Sequence, residues 1–183
     1  MKNLKTVMRP PNSEKSFREF CNYVREYIGE TPTIVELGSY MGESSLIFAQ
    51  EFPNGKIICV DTWEGNYDET DSCSKADYID VEEQFDLRLN MVNNITKIKG
   101  LSTSVEIECD LVYVDACHKY ECVKEDIKHW TPLTKKIISG HDYCTNDEFL
   151  KLHPHISGVK LAIDEMINKP DKTFDDMSWV KIL

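Results

Sequence analysis

Acids, glycines and histidines of the kind that bind cofactors or move protons stand at four separate places in the sequence. They are Glu36 with Gly38, Asp61, Asp115 with His118, and His141 with Asp142. Each group follows a short apolar run that is typical of a buried strand. Since ligands of an open α/β sheet bind outside the carboxyl ends of its strands, all four groups are predicted to lie along one edge of one sheet.

The first group belongs to residues 35–45, VELGSYMGESS, which predict a strand that turns into a helix. Gly38 and Gly42 let the backbone turn tightly and approach a ligand with no Cβ in the way. The pattern is not the Gly-x-Gly-x-x-Gly of dinucleotide binding, because Tyr40 stands where a second glycine would admit a pyrophosphate. An acid at Glu36 would repel a diphosphate, and it suits a ligand with ammonium and sulfonium charges.

Asp61 ends the next predicted strand. A carboxylate at that place can accept hydrogen bonds from both hydroxyls of a ribose. A dinucleotide and an adenosine-containing sulfonium would both use such an acid, so this residue alone leaves both ligands open.

The elements that must position these groups alternate between helix and strand patterns, which predicts a parallel sheet covered on both faces. A helix is predicted from Ser13, as its cap, to Ile28, and another from about Glu43 to Glu51. Further helices are predicted near 81–92, 120–130 and 159–166. Strands are predicted at 33–37, 56–60, 95–98, 111–114, 137–138 and 178–183. Residues 64–80 hold six acids and one lysine, and they predict either a solvated loop or a lid over a site.

The charge balance of the 183 residues is acidic, with a formal net charge of −11. Such a chain lacks the basic surface that neutralises phosphates, which disfavours nucleic acid as a partner. No apolar run is long enough to cross a membrane, and residues 1–5 do not resemble a signal peptide, so a soluble cytoplasmic protein is expected. The seven cysteines form no Cys-x-x-Cys pair and are expected to be reduced thiols.

Four segments together resemble a known family. They are residues 35–42 (VELGSYMG), 60–65 (VDTWEG), 110–120 (DLVYVDACHKY) and 138–143 (ISGHDY). This ordered set is similar to class I S-adenosylmethionine-dependent methyltransferases, and more narrowly to methyltransferase family 24, over roughly residues 30–168. The resemblance implies an α/β, Rossmann-like sheet of seven mostly parallel strands, with an antiparallel last strand at 178–183 and helices on both faces. Residues 1–30 would form an N-terminal helical cap, and residues 31–183 the methyltransferase domain.

The resemblance also implies a binding site for S-adenosyl-L-methionine. The residues carried over are Glu36, Gly38 and Gly42 on the methionine side, Asp61 at the ribose, and Trp63 and Ser102 near the adenine. Ser39, Thr62 and Asp115 are further expected cofactor residues. The acidic residue that relatives have in the adenine loop is absent here. Relatives also tend to have Pro-Gly-Gly where residues 134–136 read TKK, so that turn must be built differently.

Methylation of a hydroxyl requires that the acceptor lose a proton, either to a base or with the help of a metal. Asp115 and Asp142 are suitable oxygen ligands for Mg²⁺ or another divalent cation. His141 is the expected third ligand, with His118 or water as alternatives because Tyr143 follows Asp142. As catalytic residues we expect Asp115 with His118 or His141, either of which could take the acceptor's proton. The remaining histidines, at 129, 153 and 155, are predicted to lie on the surface.

The expected function is therefore methyl transfer, most directly to oxygen, on a small-molecule or glycan-like acceptor. A nicotinamide-dependent oxidoreductase would use the same fold and Asp61, and a non-catalytic S-adenosylmethionine-binding module would keep the same cofactor residues. The N-terminal helix could equally cover the site or pair two subunits, so a homodimer stays open.

Overall fold

One sheet organises the chain in the computed structural model, which describes residues 3–183. Its strands are β1 Thr33–Leu37, β2 Lys56–Asp61, β3 Ile95–Lys99, β4 Cys109–Val114, β5 Thr134–Gly140, β6 Lys172–Thr173 and β7 Trp179–Ile182. Over these residues the seven strands lie in the order β3-β2-β1-β4-β5-β7-β6. The first five are parallel, and β7 runs antiparallel to both β5 and β6. The predicted Rossmann-like sheet with an antiparallel last strand is confirmed.

The helices follow the predicted alternation, and the structure adds one helix and one strand to it. They are α1 Pro11–Ile28, α2 Glu43–Glu51, α3 Tyr78–Leu89, α4 Tyr120–Trp130, α5 Asp147–Leu152 and α6 Ser157–Ile167. Neither α5 nor the two-residue strand β6 was predicted, because both are too short to show a period. The expected Ser13 cap is wrong: α1 begins at Pro11, whose fixed φ suits a first helical position. Within residues 3–183 no helix combines the length and apolar character needed to cross a bilayer.

Helices cover both faces of the sheet, as expected for strands that are apolar on both sides. On one face α1 and α2 pack aromatic rings against β4, and the ring centroids of Phe17 and Tyr113 lie 5.4 Å apart. On the other face α4 and α6 bury Trp130 and Ile163 against β4 and β5. The two apolar layers fix the central strands β1 and β4 firmly in place.

The chain reverses its direction of sheet growth between β1 and β4. After β1 the sheet extends outward through β2 and β3, and after β4 it extends through β5 to β7 and β6. The connections that leave β1 and β4 therefore diverge, which opens a crevice at the carboxyl edge where α/β proteins bind ligands.

Gly38 follows β1 and lies against the backbone that follows β4. Its φ is +82°, and a Cβ on this residue would lie 2.2 Å from the carbonyl oxygen of Asp115. Gly29 has a similar φ of +76°, but a Cβ there would meet nothing within 4 Å. A comparison of substitutions at the two glycines therefore distinguishes the cost of the backbone conformation from the cost of the steric contact.

We predict that Gly29→Ala costs about 1–3 kcal/mol of unfolding free energy, since its φ of +76° with ψ of −163° is a backbone conformation that residues with a Cβ rarely adopt. Gly38→Ala should cost at least about 2 kcal/mol more, because the β4 backbone must also move. Urea unfolding of both variants measures the difference. Equal destabilisation would show that the contact with Asp115 does not constrain the turn.

Candidate active site

The carboxyl ends of three neighbouring strands are tied together by backbone hydrogen bonds. The N–H of Gly38 donates to the carbonyl of Val60 at 2.8 Å, and the N–H of Asp115 donates to the carbonyl of Leu37 at 2.9 Å. These bonds extend the parallel pairing of β2, β1 and β4 by one residue beyond each strand. The rim on which the predicted site residues stand is therefore rigid.

Two cavities open on this rim and share one wall. The Asp61 cavity has a volume of ≈ 300 Å³ and is lined by Asp61, Thr62, Ser102 and Asp126, among others. The histidine cavity has a volume of ≈ 350 Å³ and is lined by His118, His141, Asp142 and Asp71, among others. Both are lined by Gly38, Tyr40, Tyr67, Asp115 and Ala116. A ligand in one cavity would therefore lie next to a ligand in the other.

Asp61 is held in position by backbone groups. Its Oδ2 accepts the N–H of Tyr40 at 2.8 Å, and its Oδ1 accepts the N–H of Trp63 at 2.7 Å. Burial raises the pKa of Asp61, and the two backbone hydrogen bonds oppose that rise. Each carboxylate oxygen has a second lone pair, so Asp61 can still accept hydroxyl groups from a ligand in the cavity.

The predicted cofactor residues fall into two sets. Gly38, Asp61, Thr62, Ser102 and Asp115 line the Asp61 cavity, and Ser39 lines the histidine cavity instead. Glu36, Gly42 and Trp63 are not among the residues within 3–183 that line either cavity.

Glu36, Gly42 and Trp63 instead stabilise the rim through packing and hydrogen bonds below the residues that line the cavities. Trp63 is 3% exposed, packs its ring against Phe85 and donates its indole N–H to the carbonyl of Tyr40 at 2.9 Å. A Cβ on Gly42 would lie 2.8 Å from the Phe85 ring, so this glycine serves helix packing. Glu36 is fully buried, where it accepts the hydroxyl of Ser45. Burial raises the pKa of Glu36, and hydrogen bonds from neighbouring serines oppose that rise.

Asp126 lines the far end of the Asp61 cavity, and the sequence analysis missed it. It is 2% exposed, and Ser102 donates its hydroxyl to the Asp126 carboxylate. Burial raises the pKa of Asp126 to about 6, and the Ser102 hydrogen bond opposes that rise. The pattern held a clue, because Asp126 falls on the buried stripe of α4 between Val123 and Ile127. An acid on such a stripe is seldom buried without a partner.

The histidine cavity brings two carboxylates and two imidazoles together. His118 Nε2 lies 3.0 Å from Asp142 Oδ2 and 3.9 Å from Asp115 Oδ1. His141 Nδ1 lies 3.1 Å from Asp142 Oδ1 and 3.8 Å from Asp115 Oδ1. All four residues were predicted to lie at one sheet edge, and the structure places them in mutual contact.

Asp142 and the two histidines shift one another's pKa values. Burial alone would raise the pKa of Asp142, but the adjacent His141 and His118 rings hold it well below its usual value. Burial alone would lower the pKa of His118, but its carboxylate neighbours, Asp115 and Asp142 foremost, raise it well above its usual value. The pKa of His141 is also raised, again against burial, chiefly by Asp142.

One set of donors in this cavity suits a divalent cation. Single ligand atoms of Asp115, His118 and Asp142 all lie within 4.8 Å of one another. Two carboxylate oxygens and an imidazole nitrogen are donors that Mg²⁺, Mn²⁺ and related ions accept. The sequence analysis expected His141 as the third ligand, whereas the compact set contains its alternative, His118.

Two further histidines line the same cavity. His153 and His155 are half-buried there, and the ring centroids of His155 and His118 lie 5.9 Å apart. Their prediction as surface residues was wrong, because the unpredicted helix α5 and the turn at Pro154–Ile156 fold back over the cavity. His129 is half-buried as well, with its Nε2 2.8 Å from the carbonyl oxygen of Val105.

The N-terminal segment before α1 supplies the cavity with a buried cation that the sequence analysis did not anticipate. Arg9 is 5% exposed, and its guanidinium lies 2.7 Å from Asp176 and 3.7 Å from Asp115. Backbone N–H groups of Val7 and Arg9 donate to the Glu43 carboxylate at 2.7 and 2.8 Å. These contacts fasten the segment over the rim.

Comparison with known proteins agrees with this geometry. Residues 35–143 match a family model described as a methyltransferase domain. No curated protein sequence matches the chain.

Solved structures show the same fold. A Staphylococcus aureus protein assigned as a caffeoyl-CoA O-methyltransferase is similar with a TM-score of 0.65 at 18% identity, covering 98% of this chain and 85% of its own. A Clostridium thermocellum protein assigned as an rRNA methylase gives 0.61 at 13% identity, covering 92% and 97%. The calicheamicin methyltransferase CalS11 gives 0.59 at 16% identity, covering 87% and 73%.

We predict that Asp126 makes folding depend on pH. Because its pKa of about 6 in the folded state exceeds the usual 3.8, its contribution is fully present below pH 3.8 and is lost as pH rises through 6. Asp126→Asn is neutral at every pH, so its stability relative to wild type should rise by about 2–3 kcal/mol between pH 4 and pH 7. Thermal or urea unfolding of both proteins across that range measures this, and a constant difference would contradict it.

Proposed function

The chain belongs to the methyltransferase domain family, and we propose that it transfers a methyl group from S-adenosyl-L-methionine to a hydroxyl of a small-molecule or sugar-like acceptor. The observation that supports this proposal most strongly is the shared wall of the two cavities at Gly38 and Asp115. A transfer reaction needs donor and acceptor sites that meet at one point, since the reacting atoms must be brought into line at near-contact distance.

The Asp61 cavity fits the donor in shape and chemistry. Asp61 offers free lone pairs to ribose hydroxyls, and the Ser102–Asp126 pair lies among the lining residues to meet a base. Because Gly38 has no side chain, the wall that this cavity shares with the histidine cavity is thin at this residue. When bound, the donor supplies a methyl group activated by its attachment to a sulfonium. The acidic residues of the rim favour that positive charge.

The histidine cavity fits an acceptor that must lose a proton. Asp115, His118 and Asp142 would hold a divalent cation, which would supply Lewis-acid activation of a hydroxyl. His141 lines the same cavity, where Asp142 and Asp115 raise its pKa. A cation on these two carboxylates would remove the negative charge that holds the proton on His141, and the neutral ring could then accept the hydroxyl proton. The pairing of a metal set with a separate histidine favours oxygen as the methylated atom.

Charge favours a small acceptor over a nucleic acid. One similar structure bears the description of an rRNA methylase, but this chain has a net charge of −11, and the exposed acids Glu64 and Glu125 line the Asp61 cavity. A phosphate backbone would be repelled by such a surface. CalS11, which is also described as a TDP-rhamnose 3′-O-methyltransferase, provides a sugar-modifying example of the fold.

We predict that the pure protein binds S-adenosylhomocysteine and does not bind NAD⁺ in calorimetric titrations. Asp61→Asn should weaken S-adenosylhomocysteine binding about 10- to 100-fold, because a charged acceptor of the ribose hydroxyls is lost. Thermal unfolding of the variant controls for misfolding. Tight binding of NAD⁺ alone would favour an oxidoreductase and contradict the proposal.

We predict that Mn²⁺ binds the wild-type protein and that His118→Ala weakens the binding by at least about 100-fold, because one ligand is lost. His141→Ala should weaken it by no more than about 10-fold, because His141 contacts the ligand Asp142 without belonging to the compact donor set. The electron paramagnetic resonance of free Mn²⁺ measures the affinity of both variants.

Methyl transfer from labelled donor to catechols or nucleotide sugars should be abolished by EDTA and restored by Mg²⁺. If chelation had no effect while either histidine variant lost about 100-fold in rate, a metal-free base would be the better account. Cofactor binding without any transfer would indicate a non-catalytic module.

A further inference from the structure

The loop between β2 and α3 turns part of its acidic sequence inward. Asp68 is 8% exposed and Asp71 is 2% exposed, although both belong to a run that composition alone would leave in solvent. Each closes a turn of the same type: Asp68 Oδ1 accepts the N–H of Thr70 at 2.8 Å, and Asp71 Oδ1 accepts the N–H of Cys73 at 2.8 Å. Two aspartates of one loop thus share the same local structure.

They differ in what their side chains face. Asp71 Oδ2 lies 3.6 Å from His118 Nδ1 and accepts the hydroxyl of Tyr67 at 3.2 Å. Asp68 is not among the described residues that line the histidine cavity, and its Oδ2 lies 4.0 Å from the Lys119 ammonium. Only one of the two turns therefore delivers a carboxylate to the histidine cavity.

Asp71 and the strand-end acids lie on opposite sides of the His118 ring. Nε2 points at Asp142 and Asp115, and Nδ1 points at Asp71. Nδ1 is buried and makes no hydrogen bond with any of residues 3–183, so the Asp71 carboxylate at 3.6 Å is positioned to take it after a small movement. Burial opposes ionisation, but His118 and the Cys73 N–H lower the pKa of Asp71 to about 2.

We infer that Asp71 is a positioning residue that holds the His118 imidazole with Nε2 directed between Asp115 and Asp142, so that the metal site is complete only with this loop in place. A histidine that binds a metal through one nitrogen is commonly oriented by a carboxylate at the other. The inference rests on the proposed metal-assisted transfer. It adds that the loop orients the ligand His118, which the strand ends carrying Asp115 and Asp142 do not do.

The loop has other anchors that would survive loss of the Asp71 charge. Lys119 donates to the carbonyl of Tyr67 at 2.8 Å, and the N–H of Asn66 donates to the carbonyl of Ser74 at 2.7 Å. Asp71→Asn also keeps a side-chain oxygen that can accept the Cys73 N–H. The substitution therefore removes the charge that faces His118 and leaves the fold of the loop intact.

The test compares Asp71→Asn with Asp68→Asn, which removes another largely buried charge from a similar turn of the same loop. Mn²⁺ affinity, read from the electron paramagnetic resonance of the free ion, should fall about 10- to 100-fold in Asp71→Asn and stay near wild type in Asp68→Asn. Asp71→Glu should recover part of the loss. In the transfer assay kcat should fall with little change in the KM for S-adenosylmethionine, since the hydrogen bonds that hold Asp61 are untouched.

Equal Mn²⁺ affinity in wild type, Asp71→Asn and Asp68→Asn would overturn the inference, as would an equal loss in both variants. Absence of Mn²⁺ binding to the wild-type protein would overturn it together with the metal-assisted part of the proposed function. S-adenosylhomocysteine binding, measured on the same samples, tells these results apart from failure of the methyltransferase proposal as a whole.

Discussion

Contact between the backbone after β1 and the backbone after β4 is the constraint on which the site depends. Gly38 can lie against Asp115 only because it has no Cβ, and strand pairing on both sides keeps the two segments from separating. The same contact divides the crevice into two cavities and leaves Asp115 exposed to both. Two cavities that lie side by side thus follow from one backbone contact at the centre of the sheet.

The second requirement is charge balance on a partly buried rim. Asp71, Asp115 and Asp142 would repel one another if they stood alone in such a place. His118 and His141 lie between the carboxylates, and Arg9 reaches Asp115 from a distant part of the sequence. The N-terminal segment that carries Arg9 is held by Glu43 at the first turn of α2. The segment before the first helix is therefore part of the electrostatic design of the site.

The sequence was sufficient to predict the sheet, its strand ends and the convergence of Asp61, Asp115, His118, His141 and Asp142. Parallel strands have a strong pattern, and topology then brings their carboxyl ends together without further information. Asp126 was accessible to the same reasoning, because a polar residue on the buried stripe of α4 breaks the period. Asp71 was not, since it is one of six acids in a loop whose turns depend on tertiary contacts.

The cofactor residues show the limit of transfer by resemblance. Glu36 and Trp63 occupy motif positions, yet in this chain their side chains lie beneath the rim, against Ser45 and Phe85 respectively. His155 lines the histidine cavity from the short turn at Pro154–Ile156, which has no periodic pattern. Residues fixed by strand topology were predictable, and residues fixed by loop packing required the structure.

A crystal structure with S-adenosylhomocysteine and Mn²⁺ tests the central claim most directly, through the position of the ligand sulfur and the anomalous peak of the metal. We expect the adenosyl group in the cavity at Asp61, the sulfur at the Gly38–Asp115 wall, and the metal peak between Asp115, His118 and Asp142. A nucleoside bound elsewhere, or a sulfur separated from the histidine cavity by closed protein, would contradict the account.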